Sequence, residues 1–144
     1  MVFSSIVLSV EDANRRLPLV SAIVRDAMSL KVDVLQRQER LQEVRGAYSV
    51  RADDGSPYSD ELLSIEQCVE EDRDQIDAFA EELQQLGANL VDALIGLVEF
   101  HSLRDGELVL LSWMFGETDV SYWRRLDDDP LDRHLLESVE QVAG

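Results

Sequence analysis

The sequence predicts a mainly α, α+β protein: a long antiparallel helical hairpin followed by a small C-terminal antiparallel β-element. Three observations predict it. Apolar residues recur at alternating steps of three and four along two long stretches, 18–45 and 57–86. A polar segment containing glycines and Pro57 parts those stretches. Near the C-terminal end, Asp105-Gly106 stands between two apolar runs as a two-residue hairpin turn. A length of 144 residues fits one domain. Within 1–144 the hairpin is expected over 9–86, the β-element over 87–129, and a short terminal helix or tail over 130–144.

The first element opens at "LSVEDANRRLP". The Ser9 oxygen can cap a backbone N–H, and Glu11 and Asp12 suit the positive end of a helix dipole. Pro18 disrupts a helix interior and is accepted at a first turn. The expectation is therefore a short turn at 10–16 and a separate long helix from Pro18 to Arg45. Its seam is Val20, Ile23, Ala27, Leu30, Val34, Leu41 and Val44, with Arg37 on the one missed beat. After a loop at 46–56, Pro57 opens a second helix that runs to Leu86, and Gly87 stops it. That seam is Leu62, Ile65, Val69, Ile76, Phe79, Leu83 and Leu86, with Asp72 on its missed beat.

In an antiparallel hairpin, facing residues have position numbers with a near-constant total. Val44 with Ile65, Val34 with Ile76, and Leu30 with Phe79 agree on that total, and so does Arg37 with Asp72. The two charges are expected to meet as a buried pair that fixes register rather than as a catalytic dyad.

The stretch "ANLVDALIGLVEF" is left unassigned. "VEFHSLRDGELVLLSW" reads as a β-hairpin pairing Arg104 with Glu107, Phe100 with Leu111, and Val98 with Trp113. Val98, Phe100, Val109, Leu111 and Trp113 make a core face. The opposite face is mixed, with Glu99, His101, Leu103, Leu108, Leu110 and Ser112, and is expected to be half-covered or to meet a subunit. "TDVSYWRR" alternates as a third strand would, and its Tyr122, Trp123 and Arg124 either close the core or form an interaction surface.

Composition narrows the functions. Thirty acidic residues face twelve arginines and one lysine, Lys31, for a net charge of −17. Such a surface repels phosphate backbones and anionic headgroups, so neither nucleic acid nor membrane is expected as a partner. A basic protein remains compatible. Cys68 is the only cysteine, which fits a reducing cytoplasm. The start "VFSSIVLSV" lacks the basic region of a signal peptide, and no apolar run is long enough to span a bilayer. No phosphate loop, nucleophile elbow or EF-hand is present. Glu99 and His101 share one strand face, and with Glu117 or Asp119 they would supply carboxylate and imidazole ligands for a divalent metal. Against this, the only other histidine, His134, lies far off, and a strand histidine beside an acid is usually a solvated ion pair.

The succession Glu11-Asp12-Ala13-Asn14, Leu17-Pro18, Gly96-Leu97-Val98, Arg104-Asp105-Gly106, Trp113, Gly116-Glu117 and Tyr122-Trp123 resembles a bacterial family of small proteins, domain of unknown function 2203. The resemblance covers about Leu8 to Asp129. It implies a compact helical hairpin with a small β-element and supplies no reaction. The chain has Glu99-Phe100-His101 where the family usually has Asp-Phe-Pro, Gly116-Glu117-Thr118 where it has Gly-Glu-Pro, and Arg124 where histidine often follows Tyr-Trp. A family site built on that histidine would here have to use His101 instead.

Two functional expectations follow. The first is a non-enzymatic cytoplasmic homodimer acting as an interaction or scaffold module, because a small sheet cannot cover two long seams. The second is a protein binding a metal or small ligand through Glu99, His101, Glu117 and Asp119.

Overall fold

A computed structural model describes residues 6–51 and 57–136. Two helices, α1 (Val10–Arg51) and α2 (Pro57–Gln85), pack together. A five-stranded antiparallel sheet follows: β1 (Ala88–Asp92), β2 (Leu97–Arg104), β3 (Glu107–Met114), β4 (Tyr122–Arg124) and β5 (His134–Leu135). Each strand pairs with the next in chain order, so the sheet is a meander. Among the described residues no helix is long and apolar enough to cross a membrane.

The expected break at Pro18 does not occur; α1 runs through it as one helix. Pro18 sits on the exposed side, while Ala13, Leu17, Val20 and Val24 are buried against the sheet on either side of it. That burial outweighs the missing hydrogen bond, a defect of roughly 3 kcal/mol. The start is capped as anticipated, Asp12 N donating to Ser9 Oγ at 3.1 Å. At the other end α1 continues six residues past the expected stop at Arg45, to Arg51. The remainder of the predicted loop, 52–56, lies outside the described residues. Gly87 ends α2 with φ +81°, a conformation that favours glycine. Arg16 of α1 donates to the Leu86 carbonyl there at 2.9 Å, satisfying an acceptor beyond the helix end.

The core has two parts. Near the sheet, α1 and Leu83 pack on Val98, Phe100, Val109, Leu111, Trp113, Val120 and Trp123. Farther along the hairpin, Val34, Leu41 and Val69 form a second cluster with Leu62, Ile65 and Ile76 packed against it. Within this second cluster, between Val34 and Leu41 on α1 and between Val69 and Ile76 on α2, Arg37 donates to Asp72. The pair is not buried as expected: the side chains are 40% and 19% exposed. A two-helix seam has open flanks, and the long arginine reaches water along one of them. Arg37→Leu is therefore expected to lower stability by only about 1 kcal/mol or less, read from the urea midpoint. A loss of several kcal/mol would show that the pair bears load as a buried one does.

The hairpin register is Arg104 opposite Glu107, Phe100 opposite Leu111, and Val98 opposite Trp113. Asp105 (φ 52°) and Gly106 (φ 79°) both take the positive φ that this tight turn demands. The unassigned stretch forms β1 and the turn into β2. The third strand is short, Tyr122–Arg124, and the meander has five strands instead of three. Of the short terminal helix or tail expected over 130–144, the helix does not form within the described part, 130–136. Within 130–136 the chain forms β5, with Tyr122 opposite Leu135 and Trp123 opposite His134. Residues 137–144 lie outside the described residues.

Candidate functional site

One face of the sheet packs on α1; the other carries the polar residues. Strand alternation and register put Asn89, Glu99, Ser112, Tyr122 and Leu135 on one row of that second face, with His101, Leu110 and Arg124 on the next. Glu99 on β2 and Arg124 on β4 are thus diagonal neighbours across β3. Arg124 Nε and Nη2 donate to the two carboxylate oxygens of Glu99 at 2.5 and 2.9 Å, a two-point fork. The side chains are only 9% and 5% exposed. The remaining nitrogen, Nη1, donates to the carbonyls of Arg125 and Asp128 at 3.1 and 2.6 Å. The Glu99 hydrogen bonds raise the guanidinium pKa above its ordinary value, more than burial lowers it.

The segment after β4 folds back over this face. Arg133 reaches the end of β3, donating to Ser112 Oγ at 2.8 Å and to both Glu117 carboxylate oxygens at 2.5 and 2.9 Å. Its guanidinium also lies 4.0 Å from the centre of the Tyr122 ring. Glu117 is further held in the β3–β4 turn. Its carboxylate accepts from Met114 N at 2.8 Å, and its carbonyl accepts from Trp113 Nε1 at 2.9 Å. Leu103 and Leu108, beyond the covered area, are exposed.

The four carboxylate and imidazole residues considered for a metal do not converge. Glu99 and His101 share the second face, but Glu99 is gripped by Arg124 and Glu117 by Arg133. Asp119 lines a cavity of about 740 Å³ on the opposite side, between the start of α1 and the face bearing Val109, Leu111 and Trp123. Among the described residues no three His, Cys, Asp or Glu side chains gather. His101 stands apart: its Nδ1 is buried without a hydrogen-bond partner, while its carbonyl accepts from Leu8 N at 2.8 Å.

Of the two roles considered for Tyr122, Trp123 and Arg124, closing the core or forming an interaction surface, their burial favours the first. Trp123 and Arg124 are buried and Tyr122 lies under Arg133, because these three face the two packed sides of the sheet. Trp123 is flanked by Arg104, its guanidinium 4.2 Å from the ring centre, and by His134 at 5.0 Å. Arg133 is the member of this constellation that sequence reasoning missed. Its only signal was an arginine inside a segment read as a short helix or tail.

His134 Nε2 lies 3.0 Å from Asp128 Oδ2, and the Arg125 N–H donates to the same carboxylate at 2.9 Å. The Arg125 hydrogen bond and then His134 hold the Asp128 carboxyl below its ordinary 3.8. A depressed carboxyl contributes stability above its unfolded pKa and loses it as pH falls through the folded one. The Arg125–His134 corner is therefore expected to loosen in acid. An NMR titration of the Asp128 carboxyl should give a midpoint below 3.8, and one at or above it contradicts the assignment.

The model of the uncharacterized conserved protein family DUF2203 matches residues 7–136, and the chain belongs to that family. No curated protein and no solved structure matches it.

Proposed function

Starting from that membership, which brings no activity with it, we propose that the protein is a cytoplasmic, non-enzymatic interaction or scaffold module that works as a homodimer. One observation carries the reading: the hairpin extends well past the sheet with its seam incompletely covered. At 1.5 Å per residue α1 is about 63 Å long. The sheet-side core ends near Met28, and beyond it Leu62, Ile65 and Ile76 are only partly buried against Val34, Leu41 and Val69. Two helices alone leave such a seam with open flanks, and further helices pack along them. The sheet's own chemistry supports the same reading, since Glu99 and Glu117 are neutralised by arginines and serve to hold the C-terminal segment in place. Sedimentation velocity at micromolar concentration is expected to give a dimer. A strict monomer would remove the reading.

A second reading keeps one observation of its own, the buried and unpartnered Nδ1 of His101. In it the protein binds a divalent metal or small ligand beside His101. Elemental analysis of protein purified without chelator, alongside His101→Ala, decides: metal in the first and none in the second favours this reading over assembly. A basic protein partner would meet α2, where ten acidic residues accompany one arginine.

A further inference from the structure

We propose that self-association runs through a second apolar stripe on α1, packed antiparallel about a two-fold at Leu35 against the same stripe of a second copy. The inference rests on the assembly reading above and adds to it the surface and the register.

Met28, Val32 and Leu35, then Glu39 and Gln42, follow steps of four and three, as the hairpin seam does. They lie one position beyond Ala27, Val34 and Leu41, so the stripe sits about 100° around the helix from the seam. Val32 is 43% and Leu35 39% exposed. Leu94, in the β1–β2 turn and 47% exposed, shares a shallow groove with them. One turn before Val32, Met28 meets Phe115 over Gly96. A Cβ at Gly96 would lie 2.6 Å from Phe115 Cβ and 2.7 Å from Met28 Sδ, so the bare glycine lets those two side chains close over it. Exposed apolar side chains gathered in one groove on so charged a protein mark a contact.

Charge selects the occupant. The groove's other lining residues are Gln36, Gln38, Gln42 and a single acid, Glu39. Elsewhere a chain of net charge −17 repels its own copy, most strongly along α2. A basic partner would be drawn to α2; the nearly neutral stripe is where two equally acidic chains can meet. Lys31, the only lysine, and Glu39 stand four residues either side of Leu35. Neither has an ion-pair partner among the described residues. Two-fold antiparallel packing through Leu35 sets Lys31 beside the partner's Glu39, and symmetry makes the contact twice.

Sedimentation of wild type, Leu35→Glu, Lys31→Glu and the swap Lys31→Glu/Glu39→Lys tests this, with Leu63→Glu on the exposed side of α2 as control. Leu35→Glu is expected to raise the dimer Kd by about thirtyfold or more with helical circular dichroism unchanged. Lys31→Glu should weaken the dimer, the swap should restore it, and Leu63→Glu should leave it alone. A wild-type monomer overturns the assembly reading and this inference together. A wild-type dimer that Leu35→Glu leaves intact overturns only the inference, and a swap that fails to restore overturns the register.

Discussion

Arg124→Met is expected to destabilise the protein by about 3–5 kcal/mol, because it strands the Glu99 carboxylate in a site 5% exposed. Against a typical stability of roughly 5–15 kcal/mol for a domain, that is a large share. Three things are lost together: the fork on Glu99, and the donations to the carbonyls of Arg125 and Asp128 that hold the returning segment. The double variant Glu99→Leu/Arg124→Met removes both charges and is expected to recover most of the loss. Urea denaturation of the two singles and the double gives the coupling energy. If Arg124→Met costs less than about 1 kcal/mol, the pair behaves as an exposed one and its structural role is wrong.

Trp113→Ala should cost a similar amount, about 3–5 kcal/mol, by a different route. The side chain is 2% exposed in the sheet-side core and meets Phe115 edge-on at 6.2 Å between ring centres. Its indole N–H also satisfies the Glu117 carbonyl, so truncation opens a cavity and removes an anchor of the β3–β4 turn. Trp113→Phe keeps much of the volume and should cost less. Thermal unfolding followed by circular dichroism ranks the three proteins, and equal losses for Ala and Phe would show that the hydrogen bond, not the packing, dominates.

Trp113 was legible from the sequence as a core-face residue opposite Val98, whereas the Arg124 fork was not. The hairpin was legible because a long seam repeats the same message many times; even its two missed beats, Arg37 and Asp72, predicted each other and are in contact. The β2–β3 register followed from a single Asp-Gly turn. Pro18 misled because local propensity argues for a break, whereas burial on the sheet side of α1 decides. β1 and β5 escaped because each is five residues or fewer and their pairing is set by tertiary contact rather than by alternation. The Glu99–Arg124 fork needed the register of β4 on β3. Leu111 opposite Trp123 would have put Arg124 on the Glu99 face, but the aromatic pair reads equally well as an exposed patch. Arg133 acts from a segment whose fold no local pattern announces. The stripe at Val32 and Leu35 was visible at helical spacing, and the stronger seam beside it hid it.

The claim on which the account turns is that this protein assembles through α1 rather than reacting at its sheet. Spin labels at position 36 or position 42, each in a Cys68→Ser background, measure it directly by dipolar spectroscopy. In the antiparallel dimer, copies of position 36 are offset by about 3 Å along the helix axis and copies of position 42 by about 21 Å. With axes about 8–10 Å apart, the label at 36 should report the clearly shorter distance. Equal short distances at both positions would mean parallel packing, and no dipolar coupling at either would mean that the copies do not meet on α1.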